Sequence, residues 1–167
     1  MAAASWVSGA SPESDFSIQN LPYGIFTAPG RTARVGVGIG DQALDLFELA
    51  QKGIFDGIDD FDARACFGSS TLNAFMGHNR PVWQKVRARL VGLLSEPPTD
   101  PVLKDDAALQ QGVFVSLASI TMCMPARIGE CAAWRVKARI TSEKILQKYE
   151  PCNQRCITYQ ILNTSRR

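Results

Sequence analysis

His78 is the only histidine in the chain, and so the only side chain whose ordinary pKa lies near neutrality. It stands in Gly77-His78-Asn79-Arg80-Pro81, which reads as a turn between two helices. A general base needs a partnered carboxylate or nucleophile to position it, and no such motif surrounds His78, so it reads as a surface-loop histidine. Asp56, Asp59, Asp60 and Asp62 form an acidic cluster that invites a hard cation. Calcium loops alternate their oxygen ligands around a glycine turn and close on a distant bidentate acid. This spacing has neither feature, and a solvated acidic face accounts for it. Cys152-Asn153-Gln154-Arg155-Cys156 offers half of a zinc site, but a structural site takes four ligands and no second pair or nearby histidine is present. Gly36-Val37-Gly38-Ile39-Gly40 suggests a dinucleotide loop, yet Asp41 stands where the sixth-position glycine belongs and a strand, not a helix, is expected to follow. No catalytic, cofactor-binding or metal-binding set is therefore expected in this chain.

The elements around these residues alternate in type. Across residues 34–46, Val35, Val37 and Ile39 share one face of a strand and glycines occupy the other. Gly40-Asp41 supplies a turn, and Leu44 and Leu46 carry the returning strand. Such paired glycines allow close backbone approach, as in small curved barrels. Residues 53–67 read as a surface excursion with helical turns. Ser70 or Thr71 is placed to cap a short helix holding Leu72, Phe75 and Met76. Pro81 fits the first position of the next helix, whose apolar positions are Val82, Val86, Leu90 and Leu93, with Arg87 and Arg89 outside. Glu96-Pro97-Pro98 ends it. Asp105 or Asp106 starts another helix through Leu109, Val113 and Leu117, and residues 120–124 return to strand.

Composition is that of an ordinary globular protein, 46% hydrophobic and 20% charged over 167 residues. That length suits one domain with a core. The net charge of +2 conceals a split: residues 1–130 hold 10 Lys+Arg against 14 Asp+Glu, and residues 131–167 hold 8 against 2. The first part is thus acidic by four and the second basic by six, a change of character that marks a boundary. Cys66 and Cys123 precede it, and Cys131, Cys152 and Cys156 follow. Five irregularly spaced cysteines do not make a disulfide framework. No secretory signal and no run of about 20 apolar residues is seen, which predicts a reduced, cytoplasmic protein with no membrane span. The basic residues of the tail are scattered and its aromatics far apart, so no specific nucleic-acid surface is expected.

One string exceeds anything that composition or period produces: Ser14-Asp15-Phe16-Ser17-Ile18-Gln19-Asn20-Leu21-Pro22-Tyr23-Gly24-Ile25-Phe26. It resembles the opening of the fumarylacetoacetase family, hydrolases of the last step of tyrosine and phenylalanine breakdown. Further matches follow in the family's order. They are Arg34-Val35-Gly36-Val37-Gly38-Ile39-Gly40-Asp41-Gln42-Ala43-Leu44-Asp45-Leu46, then Thr71-Leu72-Asn73-Ala74-Phe75-Met76-Gly77 with Trp83, then Ile120-Thr121-Met122-Cys123-Met124-Pro125-Ala126-Arg127-Ile128-Gly129. The resemblance covers the family's N-terminal domain and stops after Gly129. Ala133 stands where the family places a metal-binding aspartate, Arg135 where it places a substrate-contacting tyrosine, and Ile140 where it places the histidine base.

The resemblance implies an α+β fold with a small SH3-like β-barrel and attached helices. It places the domain over residues 15–129; residues 1–14, small and polar, are expected to be a disordered leader, and residues 130–167 a divergent basic tail, disordered or marginal because its pieces lack apolar partners of their own. It implies hydrolysis of 4-fumarylacetoacetate to fumarate and acetoacetate by the full-length, homodimeric family, with calcium or magnesium in a catalytic domain. This chain is then expected to be an N-terminal fragment, inactive alone, or else a non-catalytic module that docks on full-length subunits or another protein. Ile120, Met122 and Met124 are the expected edge of the surface that a catalytic domain would cover.

Overall fold

Alternation of small and branched residues near the N-terminus, followed by apolar residues at helical spacing, produces a sheet backed by helices. The computed structural model describes residues 4–128. The chain divides into two units, Met1–Ala126 and Arg127–Arg167, and all the elements that follow belong to the first. In order they are β1 (Ala4–Ser5), β2 (Tyr23–Ala28), β3 (Arg31–Ile39), β4 (Gln42–Asp45), α1 (Leu46–Gln51), α2 (Ala63–Phe67), α3 (Asn73–Met76) and α4 (Arg80–Leu94). Then come β5 (Ser95–Glu96), α5 (Val102–Asp105), α6 (Ala107–Val113), β6 (Phe114–Ser116), a 3-10 turn (Leu117–Ser119) and β7 (Thr121–Cys123).

Five strands form one antiparallel sheet in the order β6-β4-β3-β2-β7, and β1 pairs separately with β5. Ala28-Pro29-Gly30-Arg31 joins β2 to β3. Gly30 has φ +73°, and proline followed by a left-handed glycine is the signature of a type II turn. Gly40, at φ +55°, opens the two-residue turn to β4, as the sequence predicts. The expected SH3-like barrel is not closed. Among the described residues β6 and β7 are the two free edges, each three residues long, and closure would need a ladder between them.

The glycines of β3 serve side chains more than backbone. A methyl group on Gly36 would run into the Phe26 ring, 2.8 Å from Cδ1, and one on Gly38 would meet Phe16 at 2.9 Å. Val35, Val37 and Ile39 point the other way and are fully buried with Ile25 and Leu44. Leu46 is buried too, but as the first residue of α1 and not on the returning strand. The strand stops because Asp45 Oδ1 accepts the Phe47 and Glu48 backbone N–H groups at 3.1 and 3.2 Å, a side-chain N-cap.

Asp45 is fully buried. Its Oδ2 lies 2.7 Å from Arg31 and 3.6 Å from Arg34. Arg31 also donates to the Gly112 carbonyl at 2.7 Å, and Arg34 reaches Glu48 at 3.0 Å and covers the Phe47 ring. Burial pushes the Asp45 carboxyl up, against the downward pull of the Glu48 N–H, Arg31 and Arg34.

The helices show where local and tertiary preferences part. Val82, Val86, Leu90 and Leu93 are buried along α4, as their spacing predicts, and Asn79 caps it through Val82 N. Pro81 is the second helical residue, after Arg80. Asp106 caps α6, which buries Leu109 and Val113. That helix ends before Leu117, because Phe114 and Val115 leave it to pair with Leu44 and Ala43 of β4. Neither Ser70 nor Thr71 caps α3: Leu72 holds the cap position without a side-chain bond. Residues 53–67 contribute Phe55 and Phe67 to the core, so only part of that segment is a surface excursion.

A disordered leader is expected over residues 1–14, yet residues 4–10 have partners. Ala4 and Ser5 pair with Glu96 and Ser95, the Trp6 indole N–H donates to the Leu93 carbonyl at 2.9 Å, and Val7 and Ala10 are buried. Two isolated apolar side chains among small residues have no period from which this could be read.

Replacing Asp45 with Ala removes a cap and leaves two guanidinium groups without their buried counter-charge. It should cost about 2–4 kcal/mol, measured by urea unfolding, and an unchanged midpoint would contradict this account. Tyr23 offers the opposite case. Its hydroxyl is buried with no hydrogen-bond partner among the described residues, and burial, partly opposed by Arg87, pushes it up to about 12. Tyr23→Phe should therefore stabilise the protein by about 1 kcal/mol at neutral pH, because an unsatisfied buried polar group is removed. A phenol raised above its unfolded pKa of about 10 gives stability below that pH and loses it as pH rises toward the folded value. The wild type should thus lose more stability than the variant between about pH 10 and 12, in paired alkaline unfolding curves.

Candidate interaction surface

β7 closes one edge of the sheet by pairing with β2, Cys123 opposite Ile25 and Met122 opposite Phe26. Alternation along a strand sends these two side chains to opposite faces. Cys123 packs against the core, whereas Met122 is 63% exposed. The Met122 methyl lies over Gly24, where an added Cβ would come within 2.8 Å of it. Glycine at position 24 therefore gives the methionine its seat.

Past β7 the chain runs to α3. The Pro125 carbonyl accepts the Leu72 N–H at 2.7 Å, which fixes Met124, 74% exposed, beside the start of that helix. Met76, one turn along α3, is exposed as well. Trp83 of α4 donates its indole N–H to the Phe75 carbonyl at 2.8 Å and leaves part of its ring in solvent. Met124 thus lies next to the residue bonded to Leu72, and Met76 and Trp83 are exposed on α3 and α4, whereas Met122 lies on the sheet face opposite the one on which Cys123 and Phe75 pack. Beneath α3 lies an aromatic cluster in which Phe75 contacts Tyr23 and Phe67 at 5.1 and 5.5 Å. Of the edge residues expected from sequence, Met122 and Met124 are exposed and Ile120 is half-buried. Met76 and Trp83 were not expected there, since spacing alone shows only that they belong to helices.

The other candidate residues are dispersed. Gly36 and Gly38 lie in a strand, and Gly40 turns into a second one, a geometry with no helix N-terminus for a phosphate. The acidic cluster is divided among structural tasks. Asp59 contacts Lys85 at 2.7 Å, which pulls its carboxyl below the usual range, Asp56 lies 3.7 Å from Arg64, and Asp62 caps α2 through Ala65 N. His78 is not alone in its loop: its Nε2 lies 3.3 Å from Cys66 Sγ, and its ring meets Phe61 edge-on at 5.2 Å. Burial pushes the Cys66 thiol up, with Asp62 adding to the effect, which opposes a thiolate nucleophile. Residues twelve apart on a helix and a loop give no sequence sign of such a pair. Cys131, Cys152, Cys156, Ala133, Arg135 and Ile140 lie outside the described residues. Among the described residues no group of three His, Cys, Asp or Glu could hold a metal ion, and no helix is long and apolar enough to cross a membrane.

An open antiparallel sheet with helices packed against it and two exposed methionines at one edge defines a mixed α+β domain. Residues 19–125 match the family model described as Fumarylacetoacetase N-terminal, and the chain belongs to that family. It is 47% identical over 118 residues to a fumarylacetoacetase of Caenorhabditis elegans, covering 70% of this chain and 27% of that protein. The fumarylacetoacetases of Rattus norvegicus and Homo sapiens are 45% and 43% identical over 119 residues, 71% of this chain and 27% of each. The chain therefore spans about a quarter of the length of the curated relatives it matches.

If Met122 and Met124 form the exposed edge, replacing both with Glu should lower hydrophobic-dye fluorescence at least about twofold while the far-ultraviolet dichroism is kept. Equal dye binding by variant and wild type would place the apolar surface elsewhere.

Proposed function

We propose that this chain serves as the N-terminal domain of a fumarylacetoacetase-type hydrolase, and that its own part is to dock and not to catalyse. The observation that carries the reading is the family match over residues 19–125 together with the exposed apolar edge at the end of that span. The reaction is the one the family resemblance implies, hydrolysis of 4-fumarylacetoacetate to fumarate and acetoacetate. We take the domain as residues 15–129 and residues 130–167 as a divergent basic tail, on the charge split noted above. The partner is a catalytic domain of the same family, the setting is cytoplasmic, and the assembly follows the family's homodimer.

Calcium or magnesium would be the family's metal, supplying a Lewis acid for the β-diketone oxygens. Hard cations need several converging oxygen ligands, and the described residues do not fit: Asp56, Asp59 and Asp62 are each engaged by a cation or a helix N-terminus. No step of the reaction is assigned to this chain. In a second reading the same edge docks on full-length subunits or on another protein without contributing to catalysis. The basic residues 131–167 favour it, since they give the chain a partner-seeking charge unlike that of the preceding acidic part.

The isolated chain, supplied with calcium or magnesium, should not consume fumarylacetoacetate above the uncatalysed rate in an absorbance assay. General-base catalysis alone contributes about 10²–10⁴-fold, and Ile140 stands at the position of the base. A metal-dependent rate from a preparation free of full-length enzyme would overturn the docking role.

A further inference from the structure

We propose that Met122 and Met124 are a modification site, at which a hydroperoxide oxidises the thioethers and turns the apolar edge of the sheet polar. The chemistry needs no further cofactor. A thioether lone pair attacks the distal peroxide oxygen, the O–O bond breaks, the sulfur gains that oxygen as a sulfoxide, and water or an alcohol leaves. Sulfur is oxidised by two electrons and the peroxide is reduced by two.

Among the described residues access favours the thioethers of Met76, Met122 and Met124, and of these Met122 and Met124 lie on or next to the edge strand. Thiols ordinarily precede thioethers in reaction with peroxide, because the thiolate is the better nucleophile. Among the described thiols, Cys66 is only 5% exposed and bonded to His78, and burial raises its thiol, so little thiolate forms. Cys123 lies in the same strand as Met122 but faces the core. Thioether reactivity does not depend on deprotonation, and Met122 and Met124 are 63% and 74% exposed. Their positions make the product consequential. The Met122 methyl rests on Gly24 and lies opposite Phe26, which is almost fully buried. A sulfoxide there puts a strong acceptor on the face that shields the Phe26 ring. The effect on docking rests on the function proposed above, whereas the oxidation site does not.

The test treats the native full chain with dilute hydrogen peroxide and maps its peptides by mass spectrometry beside a urea-unfolded sample. Met122 and Met124 should each gain one oxygen at a rate within about threefold of the unfolded chain, while Cys66 stays unmodified. Dye fluorescence should fall at least about twofold with oxidation and return after treatment with methionine sulfoxide reductases A and B. In a Met76→Leu background, the added double variant Met122→Leu/Met124→Leu conserves volume and apolar character and should keep its dye fluorescence through the same treatment, whereas Met76→Leu alone should lose it. Protection of both methionines in the native chain, or an equal fluorescence loss in the triple Leu variant, would overturn the proposal. Oxidation with the dye response, in a chain that binds no fumarylacetoacetase catalytic portion, would support the site and remove only the docking reading.

Discussion

The buried carboxylate of Asp45 ties together parts of the fold that are far apart in sequence. One oxygen ends β4 and begins α1 by capping the helix, and the other holds Arg31 at the start of β3. Through Arg31 the same centre reaches the carbonyl of Gly112 in α6. A charge placed out of water must be matched by donors in fixed positions, or the fold loses several kcal/mol. That requirement fixes the angle at which the chain leaves the sheet. It also positions α1 over the face formed by Val35, Val37 and Ile39.

The sheet's second organising feature is the absence of side chains at Gly24, Gly36 and Gly38. Each vacancy is filled from elsewhere: Met122 over Gly24, Phe26 over Gly36, Phe16 over Gly38. Large side chains from other strands and loops thus occupy the space that these residues leave. This arrangement also joins fold to surface. Met122 sits where it does because Gly24 leaves room, and its exposure follows from β7 being an edge strand with nothing beyond it among the described residues.

The domain's described chemistry is correspondingly structural. Several of its acidic residues serve caps and ion pairs, its single histidine is matched with a buried thiol, and two arginines of α4 hold backbone carbonyls: Arg87 those of Gln19 and Asn20, Arg89 that of Ile54. Among the described residues the exposed apolar side chains include Met122 and Met124 at or beside the edge strand and Met76 and Trp83 on the helices.

Much of this was legible in the sequence wherever the signal was local. The β3–β4 hairpin follows from a period of two and a glycine turn, and the buried stripe of α4 from a period near 3.6. The start of α6 follows from an acidic residue before an apolar run, with Asp106 the cap of the two candidates, whereas the cap at Asn79 is not among the sequence expectations and neither Ser70 nor Thr71 caps α3. The family could be recognised from ordered motifs, and Met122 and Met124 could be placed on an edge once it was. Other features depended on partners distant along the chain. Phe114 and Val115 became a strand because β4 offered an unpaired edge, although the preceding period favoured a longer helix. Trp6 and Val7 joined the core because Leu93 and the β3–β4 turn lie next to them. The Cys66–His78 contact and the position of Met76 and Trp83 arose in the same way. Local pattern determines which face of an element is apolar, since that is fixed by backbone geometry within a few residues. Which two faces meet, and which is left open, is decided only when the buried charge at Asp45 and the packing over the glycines are satisfied together.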